Sequence, residues 1–394
     1  MFMYCPIFSG GIRISPPSPF SVQMHSLSGD AERHMKTVDL IRAAGISQGR
    51  DECFWHVVEY EKGRLAIPPR VLENLEYSRK KGLETLLILN YAHPLYDDGM
   101  APVSDEAVQA FARYCRFMAR ELKGSVCFFE IWNEPNADGF WRPHKNVKDY
   151  ARLLKEAYRA VKEGNPDALV LGGSLAGLDE EFFQQMIELR CFGHMDAFSV
   201  HPYCHPKTPE DARIFEKMED WRNRIHQAGM GWKDFWITEI GWPTNLGGGV
   251  SEREQAVRIS RMYLNALRHP WIATTFIYWF GPDGKDPEWA EDRFGMIRQD
   301  FTPKPSHAAV ATITRHLENA IPGAWIEEIP GIRILYFTGK QGEHIYALWS
   351  LNGYASCEGR TPYPALITSL DNNPCDLAPA GGAVFLRLGE MPIL

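Results

Sequence analysis

The 394-residue chain lacks the surplus of basic residues that is typical of proteins that bind nucleic acid. Its 42 Lys and Arg residues are outnumbered by 50 Asp and Glu residues, and the formal net charge is −8. Binding to a phosphate backbone requires a basic surface, so nucleic acid is a poor match for this chain. We therefore expect a neutral or weakly charged partner.

Long apolar runs are also missing. No run reaches the roughly 18 residues that a membrane helix requires, so we predict no membrane-spanning segment. The opening letters MFMYCPIFSGGIRI contain neither a basic region nor the long apolar stretch of a signal peptide. This slightly favours the cytoplasm, unless a leader precedes the sequence given.

The eight cysteines form no CxxC pair, and we expect most of them to be small buried apolar residues. Cys357 and Cys375 share the C-terminal region and could either pair or remain free. His201, Cys204 and His205 are close in sequence, but the second half of a zinc pattern is absent. We predict no metal site and no cofactor.

Eight short apolar runs alternate with amphipathic stretches between about residue 20 and residue 318. The stretches between these runs contain helix start signals. They include prolines at 68 and 69, Ser104 followed by two acidic residues, and Ser251 with Glu254 three residues on. Eight alternations favour a closed (β/α)₈ barrel over an open doubly wound sheet. The runs are 20–25, 45–49, 84–90, 126–132, 169–172, 197–201, 235–240 and 274–279.

The pattern of apolar and turn residues in the sequence changes near residue 321. We assign residues 20–320 to the barrel and expect 321–394 to form a small antiparallel β-sandwich, because short alternating runs there are separated by Gly, Pro and Asn. The segment 1–19 contains GIRIS, which could add a strand to that second domain.

Two of the apolar runs deliver a glutamate at their carboxyl end. Glu134 lies in FFEIWNEPN after the fourth run, and Glu239 lies in FWITEIGWPT at the end of the seventh. A β/α barrel builds its active site at the carboxyl ends of its strands, and a pair of carboxyl groups is what glycoside cleavage requires. Mutual repulsion should split the titrations of the pair, although the sequence leaves open which group keeps the proton.

The WNEPN segment combined with ITEIGWP resembles glycoside hydrolase clan A. Within the clan the chain looks most like family 39 and its bacterial exopolysaccharide-hydrolase relatives, with family 5 next. GRDECFW at the second run, SVHPY at the sixth and YWFGPDG at the eighth carry the same resemblance, which spans roughly residues 20–318.

The resemblance implies a role for each matching residue. Glu134 would be the acid/base and Glu239 the nucleophile of a retaining enzyme. The residues implied to hold the substrate or the nucleophile are Asn133 at the 2-hydroxyl, Tyr203 and Arg50 at the nucleophile, His201 on the same wall, and Trp279 beneath the sugar. Three further candidates for sugar contact, each equally explained as a structural residue, are His25, His93 and Trp242.

The sequence thus predicts a retaining glycoside hydrolase that cleaves β-linked oligo- or polysaccharides by double displacement. Two alternatives use the same residues: a catalytically silent barrel that binds carbohydrate, and a transglycosylase. The sugar, the linkage, the choice between endo and exo attack, and the oligomeric state stay open.

Overall fold

A computed structural model gives the structure of the protein. It describes residues 16, 18–317, 319–323, 331–339 and 342–351, together with the backbone of four strands, 355–360, 365–368, 374–378 and 383–388.

Eight parallel strands close into a barrel. The first strand pairs with the second and with the eighth, since Ser21 lies opposite Gln48 and Phe20 lies opposite Thr275. The barrel strands, called first to eighth below, are Phe20–Gln23, Gln48–Glu52, Glu84–Leu89, Phe128–Ile131, Leu169–Ala176, Ala197–His201, Phe235–Ile240 and Ile272–Ile277. The prediction of an eight-stranded β/α barrel is confirmed, and the second strand begins three residues later than predicted.

Helices surround the barrel, and the predicted start signals act as caps. Ser104 accepts a hydrogen bond from the Ala107 N–H at 3.1 Å, and Ser251 forms a capping box with Glu254. The α-helices are Ala31–Ala43, Trp55–Val58, Pro69–Lys80, Asp105–Glu121, Val147–Gly164, Glu180–Glu188, Pro209–Ala212, Ile214–Gln227, Glu252–Leu267 and Pro305–Leu317. Short 3₁₀ helices are Asp97–Gly99, Cys191–His194 and Ala290–Arg293.

The barrel interior changes from apolar to polar along the strands. A separate apolar cluster, which includes Leu86, Phe128 and Trp236, fills one end of the interior. Side chains alternate along a strand, so Glu130 follows Phe128 onto the inner face and contacts Arg50 there. The apolar layer supports a charged layer above it, at the carboxyl ends of the strands.

Three barrel strands contain an extra residue that disturbs this alternation. The seventh strand advances three residues from Ile237 to Ile240 where the eighth advances two, the eighth has an extra residue between Ile272 and Thr274, and the fifth has a similar shift around Ser174. Such bulges redirect side chains and are common beside active sites. In the seventh strand the bulge lets both Thr238 and Glu239 face the interior polar groups.

The C-terminal region contains the predicted antiparallel strands. Ile321–Pro322, Ile332–Thr338 and His344–Ser350 form one sheet, while 355–360 pairs with 383–388 and 365–368 pairs with 374–378. These sheets are small, and their arrangement as a sandwich stays a prediction. Trp349 is buried and its indole N–H donates to Glu210 of the barrel at 3.3 Å.

Several sequence predictions concern residues outside the described part. Residues 1–15 and 17 lie outside the described residues, so the added N-terminal strand is untested. The side chains of Cys357 and Cys375 also lie outside the described residues, so their pairing is untested. Among the described cysteines, four are free, and Cys127 is disulfide-bonded.

Within the described residues, no helix combines the length and apolar character that crossing a membrane would require.

Candidate active site

A cavity of about 320 Å³ opens at the carboxyl ends of the barrel strands. This volume is at the lower end of the roughly 300–1,000 Å³ of typical ligand pockets. Both predicted catalytic glutamates line it. Its wall consists of His25, Arg50, Glu52, Ile88, Tyr91, Asn133, Glu134, Phe140, Tyr203, Glu239, Tyr278, Glu291 and Phe294.

Glu134 is presented by a strained turn after the fourth strand. Trp132 and Glu134 both have positive φ, 68° and 49°, which non-glycine residues rarely adopt. Backbone hydrogen bonds maintain the turn, since the Trp132 N–H donates to Leu89 O and the Glu134 N–H donates to Ser174 O. Strain of this kind is kept where the surroundings enforce it, and it is concentrated at functional sites. Here it brings Asn133 and Glu134 to the cavity together.

Glu239 is almost fully buried, with 8% of its surface exposed, and it accepts two hydrogen bonds. Arg50 donates to Oε1, and the Tyr203 hydroxyl donates to Oε2 at 3.0 Å. Burial alone would raise the pKa of Glu239, but the charges of His201 and Arg50 outweigh burial and hold its pKa below the usual range. Glu239 is therefore an ionised carboxylate, which is the state that a nucleophile requires.

Arg50 is the centre of the charged layer. Its guanidinium is fully buried and donates to Glu130 at 2.6 Å, to Gln23 Oε1 at 2.8 Å and to Asn133 Oδ1 at 2.7 Å, besides Glu239. Because Asn133 Oδ1 receives this bond, the amide nitrogen of Asn133 is the atom left to bind a substrate. Arg50 therefore orders four side chains, which come from the first, fourth and seventh strands or their ends.

His201 lies beneath the two glutamates and is fully buried. Its Nδ1 lies 2.9 Å from Glu134 Oε1, and its Nε2 lies 3.1 Å from Thr238 Oγ1. The single Thr238 proton is donated to Glu130, so Nε2 of His201 must donate to Thr238 or to the neighbouring Ser174. The tautomer is thus assigned by the network, and one proton remains to be shared between Glu134 and Nδ1.

The two carboxyl groups approach each other closely. One oxygen of Glu134, one oxygen of Glu239 and one ring nitrogen of His201 all lie within 4.8 Å of one another. The same three atoms could in principle ligate a metal ion. Arg50 and Tyr203 already bind the Glu239 carboxylate, and a cation there would stand beside the Arg50 charge. The absence of a metal stays a prediction.

Four of the predicted residues do not line the cavity wall, and the fully buried His201 is one of them. His93 is buried, with Nε2 bonded to Glu59 O and Nδ1 accepting from the Leu95 N–H. Trp242 is fully buried and its indole donates to Lys207 O at 2.9 Å. Trp279 is half-buried and packs on His25, while Tyr278 forms the wall there. We leave His93 and Trp242 out of the proposed substrate contacts. His25 does line the cavity.

Sequence reasoning missed several wall residues and one supporting residue. Glu130 could have been found, because a glutamate inside the apolar run FFEIW must have a buried partner if the run is a barrel strand. Glu52 could also have been found, because it directly follows Arg50 and Asp51 at the carboxyl end of the second strand. Glu291 lies in the long segment after the eighth strand, where no periodic pattern identifies it.

Comparisons with known proteins identify relatives in sequence and in fold. The family model described as Cellulase (glycosyl hydrolase family 5) matches residues 30–276. A family 39 glycoside hydrolase from the gut symbiont Bacteroides cellulosilyticus WH2 is similar over 96% of this chain and 80% of that chain, with a TM-score of 0.83 and 26% identity. A family 39 β-xylosidase from Caulobacter crescentus shares the fold, with a TM-score of 0.66 and 14% identity over 99% and 97% of the two chains.

A shorter match connects the chain with a β-xylosidase from Geobacillus stearothermophilus. The two are 30% identical over 129 residues, which is 28% of this chain and 25% of that protein, so the match spans about a quarter of the relative. The family model covers more than half of the chain. The chain therefore belongs to the cellulase family, glycosyl hydrolase family 5, of clan A, and its structure is similar to that of a family 39 glycoside hydrolase.

Proposed function

We propose that the protein is a retaining glycoside hydrolase that cleaves β-glycosidic bonds by double displacement, with Glu239 as nucleophile and Glu134 as acid/base. The observation that carries this proposal is the approach of their carboxyl oxygens to within 4.8 Å. Retaining enzymes hold their two carboxyl groups about 5–5.5 Å apart, whereas inverting enzymes leave about 6.5–9.5 Å for a water molecule.

In the first step Glu239 attacks the anomeric carbon and forms a covalent glycosyl–enzyme bond. The glycosidic bond breaks at the same time, and its oxygen leaves with the proton of Glu134. Arg50 and Tyr203 favour this step because they keep the attacking carboxylate ionised and fixed in position. Their bonds are in place before the substrate arrives, so little reorganisation is required in the transition state.

In the second step a water molecule attacks the anomeric carbon and Glu134 accepts its proton. The bond to Glu239 breaks, and the sugar leaves with its original anomeric configuration. His201 supports both steps, because it shares the remaining proton with Glu134 across 2.9 Å. Asn133 contributes through its free amide nitrogen, which we assign to the 2-hydroxyl of the sugar.

For the substrate we propose a β-linked oligosaccharide or polysaccharide, and a β-xyloside as the first sugar to test. The proposal for xylose is supported by the partial match to the β-xylosidase from Geobacillus stearothermophilus. No cofactor takes part in the proposed chemistry. The small cavity is compatible with a short portion of a sugar chain.

The test is chemical rescue of a Glu239→Ala variant on activated aryl β-glycosides. We expect the variant to be inactive and azide to restore turnover, giving a glycosyl azide of inverted configuration. Glu288→Ala is the control, because Glu288 is exposed in the segment after the eighth strand and is not part of the cavity wall.

Other outcomes distinguish the alternatives. Near-normal rates in Glu239→Ala would remove the nucleophile assignment. Binding of glycans by the wild-type protein without any turnover would support the silent barrel. Transfer of the sugar to added acceptor sugars in preference to water would support the transglycosylase.

A further inference from the structure

We propose that the cleft discriminates against sugars that carry a carboxylate, and that Glu291 is the specificity-determining residue. This inference rests on the proposed function and extends it to the substrate class: uncharged sugars are accepted, and uronic acids are rejected. The basis is the charge balance of the cavity wall, where four carboxyl groups, Glu52, Glu134, Glu239 and Glu291, accompany only two cationic side chains.

The first cation, Arg50, has no capacity left for a substrate carboxylate. A guanidinium carries five N–H donors. In Arg50 these are directed to Glu130, Gln23, Glu239 and Asn133, with a longer contact of 3.5 Å to Ser174. Its positive charge is also balanced, because two of these acceptors are carboxylates. Bidentate recognition of a uronic acid, the usual function of an arginine at such a site, is therefore unavailable.

The second cation, His25, is paired with a carboxylate of the same wall. Its Nδ1 lies 2.9 Å from Glu52 Oε1, and the Glu52 side chain is 14% exposed. Burial would lower the pKa of His25, but the neighbouring Glu52 outweighs burial and raises the pKa of His25 to about 9. The histidine is therefore charged at neutral pH, and the pair as a whole adds no net charge to the cavity.

Glu291 is left without such a balance. It lies in the short helix Ala290–Arg293 at the rim of the cavity, and the Tyr278 hydroxyl donates to its Oε2 at 2.9 Å. In the described part of the chain no Lys, Arg or His lies within ion-pair distance of Glu291. Glu291 is exposed at this rim, and its partial desolvation together with the nearby Glu239 charge raises its pKa, while the Tyr278 bond and the more distant His25 charge oppose this rise.

A carboxylate in this position accepts hydrogen bonds and repels negative charge. Its second oxygen, Oε1, can accept from a sugar hydroxyl, which is a donor. A substrate carboxylate offers only acceptors, so it would lose the hydrogen bond and meet a like charge as well. Unfavourable like-charge contacts of this kind are a common source of specificity.

The experiment compares two non-hydrolysable ligands that differ only at C6. Phenyl 1-thio-β-D-glucopyranoside carries a hydroxymethyl group, and phenyl 1-thio-β-D-glucopyranosiduronic acid carries a carboxylate. Calorimetric titrations are carried out at pH 8, well above the usual carboxyl pKa range. We expect the wild-type protein to bind the glucoside more tightly by a factor on the order of ten, the effect of one like charge in a partly solvated site.

Glu291→Gln keeps the shape of the side chain and removes its charge, so the preference should fall by about tenfold. Glu288→Gln, an exposed glutamate three residues earlier, should leave the preference unchanged. Added salt at about 0.5 M should reduce the preference of the wild-type protein and not that of Glu291→Gln, because salt screens charge.

Equal affinities of the wild-type protein for the two ligands would overturn the inference, as would the same preference in Glu291→Gln as in wild type. Failure to bind either ligand would overturn it too. The titrations do not depend on turnover, so these outcomes are separate from failure of the proposed hydrolysis. Hydrolysis of aryl β-glycosides and their glucuronides at equal rates would leave the proposed function standing and reject the charge selection.

Discussion

Replacing Arg50 by Met should reveal how strongly one buried cation supports both stability and the nucleophile. Arg50 and Glu130 are fully buried and bonded at 2.6 Å, and Arg50 also binds Glu239, whose side chain is 10% exposed. Removing one member of a buried ion pair leaves its partner desolvated and typically costs about 3–5 kcal/mol. For a large domain, where 1 kcal/mol corresponds to roughly 2 °C, the Tm should fall by about 6–10 °C.

The loss should depend on pH in a defined direction. The pKa of Glu239 is lowered in the folded protein, so its ionisation stabilises the fold above the unfolded-state pKa, and this contribution is lost as pH falls through the folded pKa. Without Arg50 the contribution is missing, and the carboxylates can relieve their repulsion by taking up protons. The stability difference between wild type and Arg50→Met should therefore be largest near pH 7 and should narrow towards about pH 4.5.

The assay combines urea unfolding at several pH values with the pH profile of kcat/KM. In Arg50→Met the acid limb of that profile should move to higher pH, because the nucleophile must be ionised to attack. Arg298→Met serves as the control, since Arg298 is paired with Glu252 at 2.6 Å on the surface and such pairs contribute about 0–1 kcal/mol. A stability loss that is the same at pH 4.5 and pH 7, with an unmoved acid limb, would refute the reasoning.

Three further predictions address the roles of single groups. Glu134→Gln should lower kcat on substrates with poor leaving groups by about 10²–10⁴, and much less on aryl glycosides with activated leaving groups, because only the former need a proton; equal losses on both would argue against the acid role. Tyr203→Phe removes the 3.0 Å bond to Glu239. Because hydrogen bonds to charged groups contribute about 1.5–3 kcal/mol to stability, the free energy of unfolding should fall by about that amount, and kcat/KM should fall because the proposed nucleophile is less firmly fixed; an unchanged rate would show that Arg50 alone fixes the nucleophile. Prolonged dialysis against EDTA should leave activity intact, and a loss restored by a divalent ion would identify the cluster of Glu134, His201 and Glu239 as a metal site.

The fold and the proposed catalytic pair could be predicted from the sequence because their signals are local. Short apolar runs with capped helices between them specify strands and helices one at a time, and eight repeats leave little choice of architecture. Glu134 and Glu239 stood out because each terminates such a run beside turn residues. The resemblance to clan A then indicated which other residues contact the substrate or the nucleophile. Of these, Asn133, Tyr203 and Arg50 line the cavity wall.

The remaining residues depend on tertiary contacts that no local pattern encodes. Ser174 reaches the interior through a bulge, which is invisible in a period-two interpretation of the fifth strand. Trp242 follows the seventh strand as closely as a substrate contact would, yet its indole N–H is satisfied by the backbone of Lys207. The position of Glu291 depends on a loop that is held by distant contacts, including the bond of Lys304 to Asp283 at 2.9 Å.

The most direct test of the account is the configuration of the first product. An aryl β-glycoside is hydrolysed in an NMR tube, and the anomeric proton is recorded before mutarotation changes the ratio of anomers. Carboxyl oxygens that approach within 4.8 Å predict that the β-anomer appears first. Initial formation of the α-anomer would contradict the account, because it would require a water molecule, instead of Glu239, to attack the sugar.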